Sequence, residues 1–276
     1  MDMKMGDGKP FLRWAGSKKR LIPKLLPYWG DGHKRYIEPF MGSAALFFAI
    51  KPSNALLSDI NSDLVETFCT LRDHPRAVYN RLQHLPLGKE AYYYIRKEDS
   101  SQLPSLDRTA RFIYLNRFCF NGIYRTNMNG KFNVPYASSK TGQLPSQDDL
   151  YKAAKILSHA QIKMRDFNEA LKDVQGGDFV YMDPPYAVQN RRIFRQYGPA
   201  SFGIEDLAHL ASALSDIDRT GATFVVSYAM CREAMEAFAG WNVRRAQTQR
   251  SVAGFSKHRR KAIELLVSNR KLSNGS

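Results

Sequence analysis

Three short, mainly apolar runs that each end at an acidic residue most constrain the fold of this chain. The acids are Glu38 after 36–37, Asp59 after 55–58 and Asp183 after 179–182. Patterns typical of helices follow the first two runs. This alternation predicts an α/β fold with a doubly wound, mainly parallel sheet. Ligands bind outside the carboxyl ends of such strands, so we expect the acids to line a ligand site. Further predicted strands are 161–164, 222–228, a short one at 241–243, and 262–267.

The four residues Asp183-Pro184-Pro185-Tyr186 directly follow the third run. Neither proline can donate a hydrogen bond to a sheet, so the strand ends there. An acid, main-chain carbonyls and an aromatic ring then stand together, and they suit a flat, neutral ring that carries an amine. Tyr186 could stack on that ring while Asp183 and a carbonyl accept the amine hydrogens. A plain strand end followed by a Pro-Pro turn is the alternative interpretation.

The charge of the chain favours an acidic partner. Lysine and arginine number 41 against 26 aspartates and glutamates, which gives a formal net charge of +15. A basic surface of this size is typical of proteins that bind polyanions, with nucleic acid the first candidate. A soluble basic protein without such a partner is the alternative.

Other features of the sequence argue against several classes of protein. No run approaches the roughly 18 consecutive apolar residues of a membrane span, and residues 1–9 lack the apolar core of a signal peptide. The cysteines Cys69, Cys119 and Cys231 are widely spaced and form no metal-type pattern with histidine. We therefore expect a cytoplasmic protein without a membrane segment, a disulfide or a bound metal. We also expect a monomer.

Residues near the amino terminus could complete a ligand pocket. Trp14 and Lys18 are separated by small residues and could supply a wall and a cation, although each alone would suit a core or a surface position. Asp59 lies about 20 residues beyond the first strand and turn, the separation at which such folds place a carboxylate on ribose hydroxyls. A helix cap is the alternative role for Asp59. Predicted helix caps are Ser17, Ser43, Asn61 or Ser62, and Ser201 or Gly203.

Residues 63–159 differ from the rest because helical periodicity replaces the alternation of strands and helices. We predict two domains, one formed by 1–62 with 160–276 and one inserted at 63–159. The centre of the insertion, 116–136, mixes aromatic and basic residues with turn dipeptides such as Asn121-Gly122. It predicts a projecting loop or hairpin that reads base edges and displaces a base. A purely structural hairpin is the alternative.

Two basic segments, 191–198 and the loop 257–261, are candidates for contacts with phosphates. A run of positive charge is usually a solvated face, and that is the alternative for 257–261.

The motifs appear in an order that resembles a known family. They are F-L-R-W-A-G-S-K at 11–18, Y-I-E-P-F-M-G-S at 36–43, L-S-D-I-N-S-D at 57–63, N-R-F-C-F-N-G-I-Y-R-T-N at 116–127, F-N-V-P-Y at 132–136 and D-P-P-Y at 183–186. This ordered set resembles the Dam-type DNA adenine-N6 methyltransferases, the alpha group that uses S-adenosylmethionine. The resemblance covers 11–267.

The resemblance implies a Rossmann-like methyltransferase fold in which the inserted segment recognises the DNA target. The implied catalytic residues, which would hold a flipped adenine, are Asp183, Pro184 and Tyr186. The implied cofactor-binding residues are Trp14, Ala15, Lys18, Glu38, Phe40, Gly42, Asp59, Ile60, Asp166, Phe167 and Asp183. The candidate DNA-binding residues are Arg13, Asn116, Arg117, Phe120, Asn121, Ile123, Arg125, Asn127, Pro135, Lys257, Arg259 and Arg260. Among these, Phe120 would fill the space opened in the duplex, while Ile123, Arg125 and Pro135 would help to read bases.

The expected activity is therefore methyl transfer from S-adenosylmethionine to N6 of an adenine flipped out of double-stranded DNA. GATC, the commonest target of the family, is the expected site. Two departures concern W-A-G-S-K, where the family has W-A-G-G-K, and Arg13, where it has lysine. The second bears on target choice because arginine and lysine are not interchangeable at a bidentate contact.

The same residues leave other activities open. Cytosine-N4 methylation, RNA or protein-glutamine methylation, and a non-catalytic DNA-binding regulator on the same scaffold are the alternatives. C5-cytosine methylation is rejected because its nucleophile is a cysteine after proline, and none of the cysteines follows a proline.

Overall fold

The computed structural model describes residues 8–30, 32–137, 142–186, 202–251 and 259–272, with the backbone alone at 249–251 and 259–262. Within these ranges the strands form one seven-stranded sheet of order β3-β2-β1-β4-β5-β7-β6. The strands are β1 (Arg35–Glu38), β2 (Ala55–Asp59), β3 (Ala160–Met164), β4 (Asp178–Met182), β5 (Thr223–Ala229), β6 (Asn242–Ser251) and β7 (Arg259–Ser268). β1 to β5 are parallel, and β7 is antiparallel to both β5 and β6. The predicted doubly wound, mainly parallel sheet is confirmed.

Helices cover both faces of the sheet. They are α1 (Ile22–Leu25), α2 (Ala45–Ile50), α3 (Ser62–Asp73), α4 (Pro75–Gln83), α5 (Lys89–Lys97), α6 (Ser105–Phe118), α7 (Gln147–Leu157), α8 (Phe167–Leu171), α9 (Ile204–Arg219) and α10 (Arg232–Ala237). Short 3-10 turns occur at Lys19–Leu21, Leu26–Tyr28, Ser100–Gln102 and Phe120–Gly122. No helix in the described ranges is both long enough and apolar enough to cross a membrane.

The central strand β4 shows why both faces need cover. All five of its residues are buried. Phe179 and Tyr181 pack into one core cluster, whereas Val180 and Met182 pack into the other. Side chains alternate along a strand, so an uninterrupted apolar run requires apolar partners on each side of the sheet.

The order of the strands fixes where a ligand site lies. The chain runs from β1 outward to β2 and β3, then returns to β4 on the other side of β1. The strand order therefore reverses between β1 and β4, and the carboxyl ends of these strands are where this type of sheet binds ligands. Glu38 ends β1, and Asp183 immediately follows β4.

The helices α3 to α7 occupy the chain between β2 and β3, where the sequence predicted a mostly helical insertion. Their separation into a domain at 63–159 stays a prediction. The hairpin predicted inside the insertion is a loop with two isolated antiparallel bridges, Cys119–Tyr136 and Thr126–Phe132, rather than a regular two-stranded ladder. Left-handed φ angles at Asn121 (56°) and Gly122 (63°) turn the chain away from an extended path.

Two predicted helix caps are wrong. Ser17 and Ser43 do not cap helices, because Lys18 and Ala44 occupy the cap positions and neither makes a side-chain cap bond. Left-handed backbone at Gly42 (φ 46°) and Ala44 (φ 50°) carries the chain through the turn, and the Ser43 hydroxyl instead donates to Ser17 Oγ (3.3 Å).

The other predicted caps fit the structure better. Asn61 caps α3 by accepting the Leu64 N–H (3.2 Å), and Gly203 precedes α9.

The basic loop predicted at 257–261 overlaps the strand β7, which begins at Arg259. Residues from Arg259 onward belong to β7, because the ladder between β6 and β7 extends as far as the pair Ser251–Arg259. For the same reason, the short strand expected at 241–243 is the first part of the ten-residue β6. Lys257 and the segment 191–198 lie outside the described residues.

A buried ion pair joins the beginnings of β1 and β4. Arg35 donates through Nε and Nη2 to the two carboxylate oxygens of Asp178 (3.2 and 2.6 Å), and Asp178 is 3% exposed. Asp178→Ala would leave the guanidinium without this partner and should lower the free energy of unfolding by about 2 kcal/mol. Urea denaturation measures the change.

The matched control is Asp216→Ala, which removes an exposed partner of Arg219 on α9. Exposed pairs contribute little, so its free energy of unfolding should change by less than about 0.5 kcal/mol. Equal losses in the two variants would contradict the role given to the buried pair.

Candidate active site

Asp183 stands at the carboxyl end of β4, where Pro184 and Pro185 stop the strand. Its Oδ1 accepts a hydrogen bond from Ser227 Oγ (2.9 Å) on the neighbouring strand β5. The same oxygen lies 2.7 Å from Lys18 Nζ. Ser227 is in turn bonded to the Tyr181 hydroxyl (3.0 Å), and both residues are buried. The carboxylate is therefore held in a defined orientation by the sheet beneath it.

Lys18 is a partly buried cation of this site. Burial alone would lower the pKa of Lys18, but the acidic groups of Asp183, Tyr186 and Glu264 outweigh it and raise the pKa. Burial raises the pKa of Asp183, and the ammonium of Lys18 and the hydroxyl of Ser227 oppose that effect. The pair is thus an ion pair between an ammonium and a carboxylate, and water solvates both groups poorly.

Tyr186 connects this ion pair to a second carboxylate. Its oxygen accepts a hydrogen bond from Lys18 Nζ (2.9 Å), and its hydroxyl donates to Glu264 Oε1 and Oε2 (3.1 and 3.2 Å). The ring packs edge-on against Tyr228, with the two centroids 5.2 Å apart. Neither Glu264 nor Ser227 was predicted from the sequence. The signal for Glu264 was its position as an acid inside the apolar run 262–267.

The three strand-end acids lie close enough to influence each other, as the sequence predicted. Glu38 is buried and accepts a hydrogen bond from the Tyr36 hydroxyl (2.9 Å). Burial raises the pKa of Glu38 well above its ordinary value, and the negative charges of Asp183 and Asp59 raise it further. A cationic or amine-bearing ligand would relieve this accumulation of acid.

Asp59 ends β2 and is bonded to the loop after β1, where Gly42 packs against Trp14. Its carboxylate accepts hydrogen bonds from the backbone N–H groups of Gly42 (3.1 Å) and Asn61 (3.0 Å), while burial raises its pKa. A Cβ at Gly42 would lie 2.9 Å from Trp14 Nε1. Gly42 therefore lets the indole pack directly against the backbone, and Ala15 follows in the turn closed by the bond from Ser17 N–H to the Trp14 carbonyl (3.1 Å).

Aromatic rings form another wall near the strand ends. Phe40 and Phe167 stack with centroids 5.3 Å apart, and Phe202 packs against both rings. Ile60 follows β2 and is 52% exposed, which is unusual for an apolar residue at a strand end. Asp166 has a structural role beside its predicted one, because it caps α8 by accepting the Glu169 N–H (2.9 Å).

The structure brings Arg13 and Asn116 together from distant parts of the chain. Asn116 Oδ1 accepts the Arg13 N–H (2.9 Å), and Asn116 Nδ2 donates to the Arg13 carbonyl (2.6 Å). The Arg13 guanidinium donates to the carbonyl of the partly buried Arg117 (3.1 Å). Asn116 is itself buried, so its predicted contribution to DNA binding would act by positioning Arg13.

The loop 119–136 presents the other candidates for DNA contact. Phe120, Asn121, Asn127 and Pro135 are exposed, whereas Ile123 and Arg125 are partly buried. Asn133 Oδ1 accepts from Arg125 Nε (2.7 Å), which fixes the guanidinium. Asn127 Oδ1 accepts the N–H groups of Asn129 and Lys131 (both 3.0 Å) and so stabilises the turn of the loop. Arg259 and Arg260 are described by their backbone alone, in β7.

A contact that the sequence did not predict joins this loop to the amino-terminal turn. The Tyr124 ring stacks on Trp14 with centroids 6.0 Å apart, and the Tyr124 hydroxyl donates to Asp63 Oδ2 (2.9 Å) at the start of α3. Tyr124 lies between Ile123 and Arg125, two of the predicted base-reading residues.

Comparison with known proteins identifies the family. Residues 14–252 match the D12 class of N6 adenine-specific DNA methyltransferases, and the chain belongs to this family. It therefore transfers a methyl group from S-adenosylmethionine to N6 of adenine in DNA. Membership of this family favours adenine-N6 methylation over the cytosine-N4 alternative, and it favours an enzyme over a non-catalytic regulator.

Three relatives match this chain over nearly their whole length. The chain is 30% identical over 270 residues to a Type II methyltransferase of Lactococcus lactis subsp. cremoris. The matched region covers 95% of each chain. It is 30% identical over 266 residues to the DNA adenine methylase of Haemophilus influenzae, covering 94% of this chain and 93% of the relative. It is 28% identical over 268 residues to that of Escherichia coli, covering 95% and 96%.

The residues present suit S-adenosylmethionine. The donor carries hydroxyls and an ammonium, and the partly buried carboxyl group of Asp59 and the buried one of Glu38 are acceptors for such groups. Gly42 has no side chain, so the indole of Trp14 packs against its backbone while its N–H donates to Asp59. The described residues contain no cluster of three or more histidine, cysteine or acidic side chains that could hold a metal.

Gly42→Ala tests this assignment of the donor site. The new Cβ would displace Trp14 and would also strain a backbone with φ of 46°. We expect the dissociation constant of S-adenosylmethionine to rise at least about tenfold. Isothermal titration calorimetry measures it.

Gly240→Ala is the matched control because Gly240 has a φ of 93° and its Cβ would meet open space. It carries the backbone strain without the clash, so it should bind the donor as the original protein does. Equal binding by the two variants would show that Gly42 does not shape the donor site.

Proposed function

We propose that this protein methylates an adenine that has left the DNA duplex, and that Asp183, Pro184 and Tyr186 hold the extruded base. The observation that carries the proposal is the position of Asp183, a partly buried and oriented carboxylate directly after β4 at the reversal point of the sheet. An adenine amine inside a duplex cannot reach a donor bound at that edge. Unstacking it costs a few kcal/mol, roughly what enzymes of this kind spend to reach their target atom.

The chain's own residues explain how the amine could become reactive. The lone pair of the exocyclic nitrogen is delocalised into the adenine ring, so the free amine is a poor nucleophile. Asp183 and the Pro184 carbonyl would accept its two hydrogens, which favours a pyramidal nitrogen with a localised pair. Tyr186 would stack on the ring and fix its direction. S-adenosylmethionine supplies an electrophilic methyl group when bound, and alignment of the two reactants provides much of the acceleration.

The loop 119–136 supports a proposal for target recognition. Phe120 is 38% exposed and could fill the gap left by the extruded base. Arg125 is oriented by Asn133 and could contact a guanine edge through two hydrogen bonds. Ile123 and Pro135 would complete the contact with neighbouring bases, and Arg259 and Arg260 with Lys257 would contact phosphates. We propose GATC as the target, which is the sequence that the family resemblance implies.

The relatives also bear on the biological setting. One of them is named a Type II methyltransferase, so we propose that this protein could protect DNA within a restriction-modification system. The others quoted are DNA adenine methylases, whose names carry no restriction partner. We place its activity in the compartment that holds the DNA and take the acting species to be a monomer.

Asp183→Ala tests the proposed holding of the amine. Loss of the acceptor should lower kcat at least about 100-fold, because the amine would no longer be oriented toward the methyl group. DNA binding should be largely retained. Transfer of labelled methyl groups to a duplex measures kcat, and 2-aminopurine placed at the target adenine reports extrusion by a rise in fluorescence.

The rise in fluorescence should appear with both the original protein and Asp183→Ala. Full activity in the variant would refute the role of Asp183, whereas unchanged fluorescence in both proteins would refute extrusion of the base.

Arg125→Ala tests recognition of the target. Loss of a bidentate contact to a base should reduce discrimination between target and one-mismatch duplexes about 10-fold or more. Sequencing of methylated adenines in DNA from expressing cells gives the site, with GATC expected from the original protein. The control is Arg232→Ala, which removes an arginine paired with Glu236 on α10, outside the recognition loop.

The control should leave the methylated sites unchanged. A different motif in the original protein would refute GATC alone, and unchanged discrimination by Arg125→Ala would refute the base-reading role.

A further inference from the structure

Glu264 is a buried carboxylate that the function described above does not use. It lies on β7, where it pairs with Ala229 of β5 and Ala246 of β6. It is 3% exposed and stands in a run of apolar residues. A buried carboxylate is costly unless polar partners compensate it, so its position requires an explanation. Because Ala229 is the last residue of β5, Glu264 reaches the same edge of the sheet as Asp183.

The hydrogen bonds around Glu264 have a fixed direction. Lys18 Nζ donates to the Tyr186 oxygen (2.9 Å), and the Tyr186 hydroxyl donates onward to both oxygens of Glu264. Lys18 Nζ also lies 2.7 Å from Asp183 Oδ1. One ammonium therefore connects the partly buried carboxylate of Asp183, directly, with the buried carboxylate of Glu264, through a phenol.

The arrival of an adenine amine would disturb this arrangement. Asp183 Oδ1 already accepts from Ser227 Oγ at 2.9 Å and lies 2.7 Å from Lys18 Nζ, so an amine that approaches this oxygen competes with the ammonium. A largely desolvated ammonium that loses a partner at 2.7 Å needs another negative group nearby, because a charge withdrawn from water without a partner is destabilising. Glu264 is a carboxylate one phenol away.

We propose that Glu264 is a positioning residue for methyl transfer. Through the Tyr186 hydroxyl it fixes the ring on which the base stacks, and it compensates the charge of Lys18 when the adenine amine takes the place of the ammonium at Asp183. This inference rests on the proposed function, because it takes Asp183 as the acceptor of the amine. It adds a residue that does not itself touch the substrate.

Glu264→Gln is the variant that separates charge from hydrogen bonding. The amide oxygen can still accept from Tyr186, but the negative charge is gone. We expect kcat to fall about 10- to 100-fold, the range that corresponds to one charged hydrogen bond. The KM for DNA and the affinity for S-adenosylmethionine should stay within about twofold, because neither depends on Lys18 leaving Asp183. Glu264→Asp keeps the charge and should recover part of the lost kcat.

Glu236→Gln is the matched control, since it neutralises an exposed glutamate on α10 and should retain the original kcat. Tyr186→Phe removes the phenol that links Lys18 to Glu264. If Glu264 acts through that phenol, the double variant should be less impaired in kcat than the product of the two single effects. Thermal unfolding of each variant reports whether the fold is intact.

The outcomes are distinguishable. An original kcat in Glu264→Gln, or multiplicative effects with Tyr186→Phe, would overturn the inference. A variant that loses activity only in proportion to its unfolded fraction would do the same. If Glu264→Gln fails to fold, Glu264→Asp is the deciding variant. The aspartate side chain is shorter than that of glutamate, so a kcat unchanged from that of the original protein would exclude positioning through Tyr186. Failure of the proposed function is separate, since it would appear as full activity in Asp183→Ala.

Discussion

The ion pair between Lys18 and Asp183 is the interaction on which the site depends. It joins the turn before α1 to the end of β4, and Tyr186, which Lys18 also contacts, is 168 residues away in sequence. Both charges are removed from most of the surrounding water, and each would be costly alone. Glu264 also acts on the ammonium and is joined to it through Tyr186, so the ammonium balances more than its direct partner. The edge is consequently acidic but compensated, which suits a ligand that brings its own positive charge.

The parallel sheet explains why these acids meet. Each acid ends or follows a strand, and the order β2-β1-β4-β5 places those ends side by side. The long insertion between β2 and β3 changes the sequence separation but not this geometry. β7 then enters beside β5 in the opposite direction, which brings Glu264 to the edge from the middle of its strand rather than from its end. One edge thus collects acids from two strand directions.

This difference marks what the sequence could predict. The strands, their closing acids and the cap at Asn61 follow from periodicity and local polarity, and they were predicted. Glu264 was missed because its partner Tyr186 is defined only by the order of the strands, which one sequence does not reveal. The cap predicted at Ser43 was wrong for a local reason. Left-handed backbone at Gly42 and Ala44 redirects the chain there, because Trp14 packs where a side chain would otherwise stand.

Tyr124 shows how closely recognition and chemistry are joined in this protein. Its ring stacks on Trp14, whose indole packs against Gly42, and the Gly42 N–H binds Asp59. The contacts therefore run without a gap from the loop that holds Ile123 and Arg125 to the acid at the end of β2. Side chains packed at the density of a protein interior cannot shift singly without losing contacts. A displacement of the loop must either carry Trp14 with it or break the stack, so the position of the loop and the shape of the turn beside Asp59 are set together.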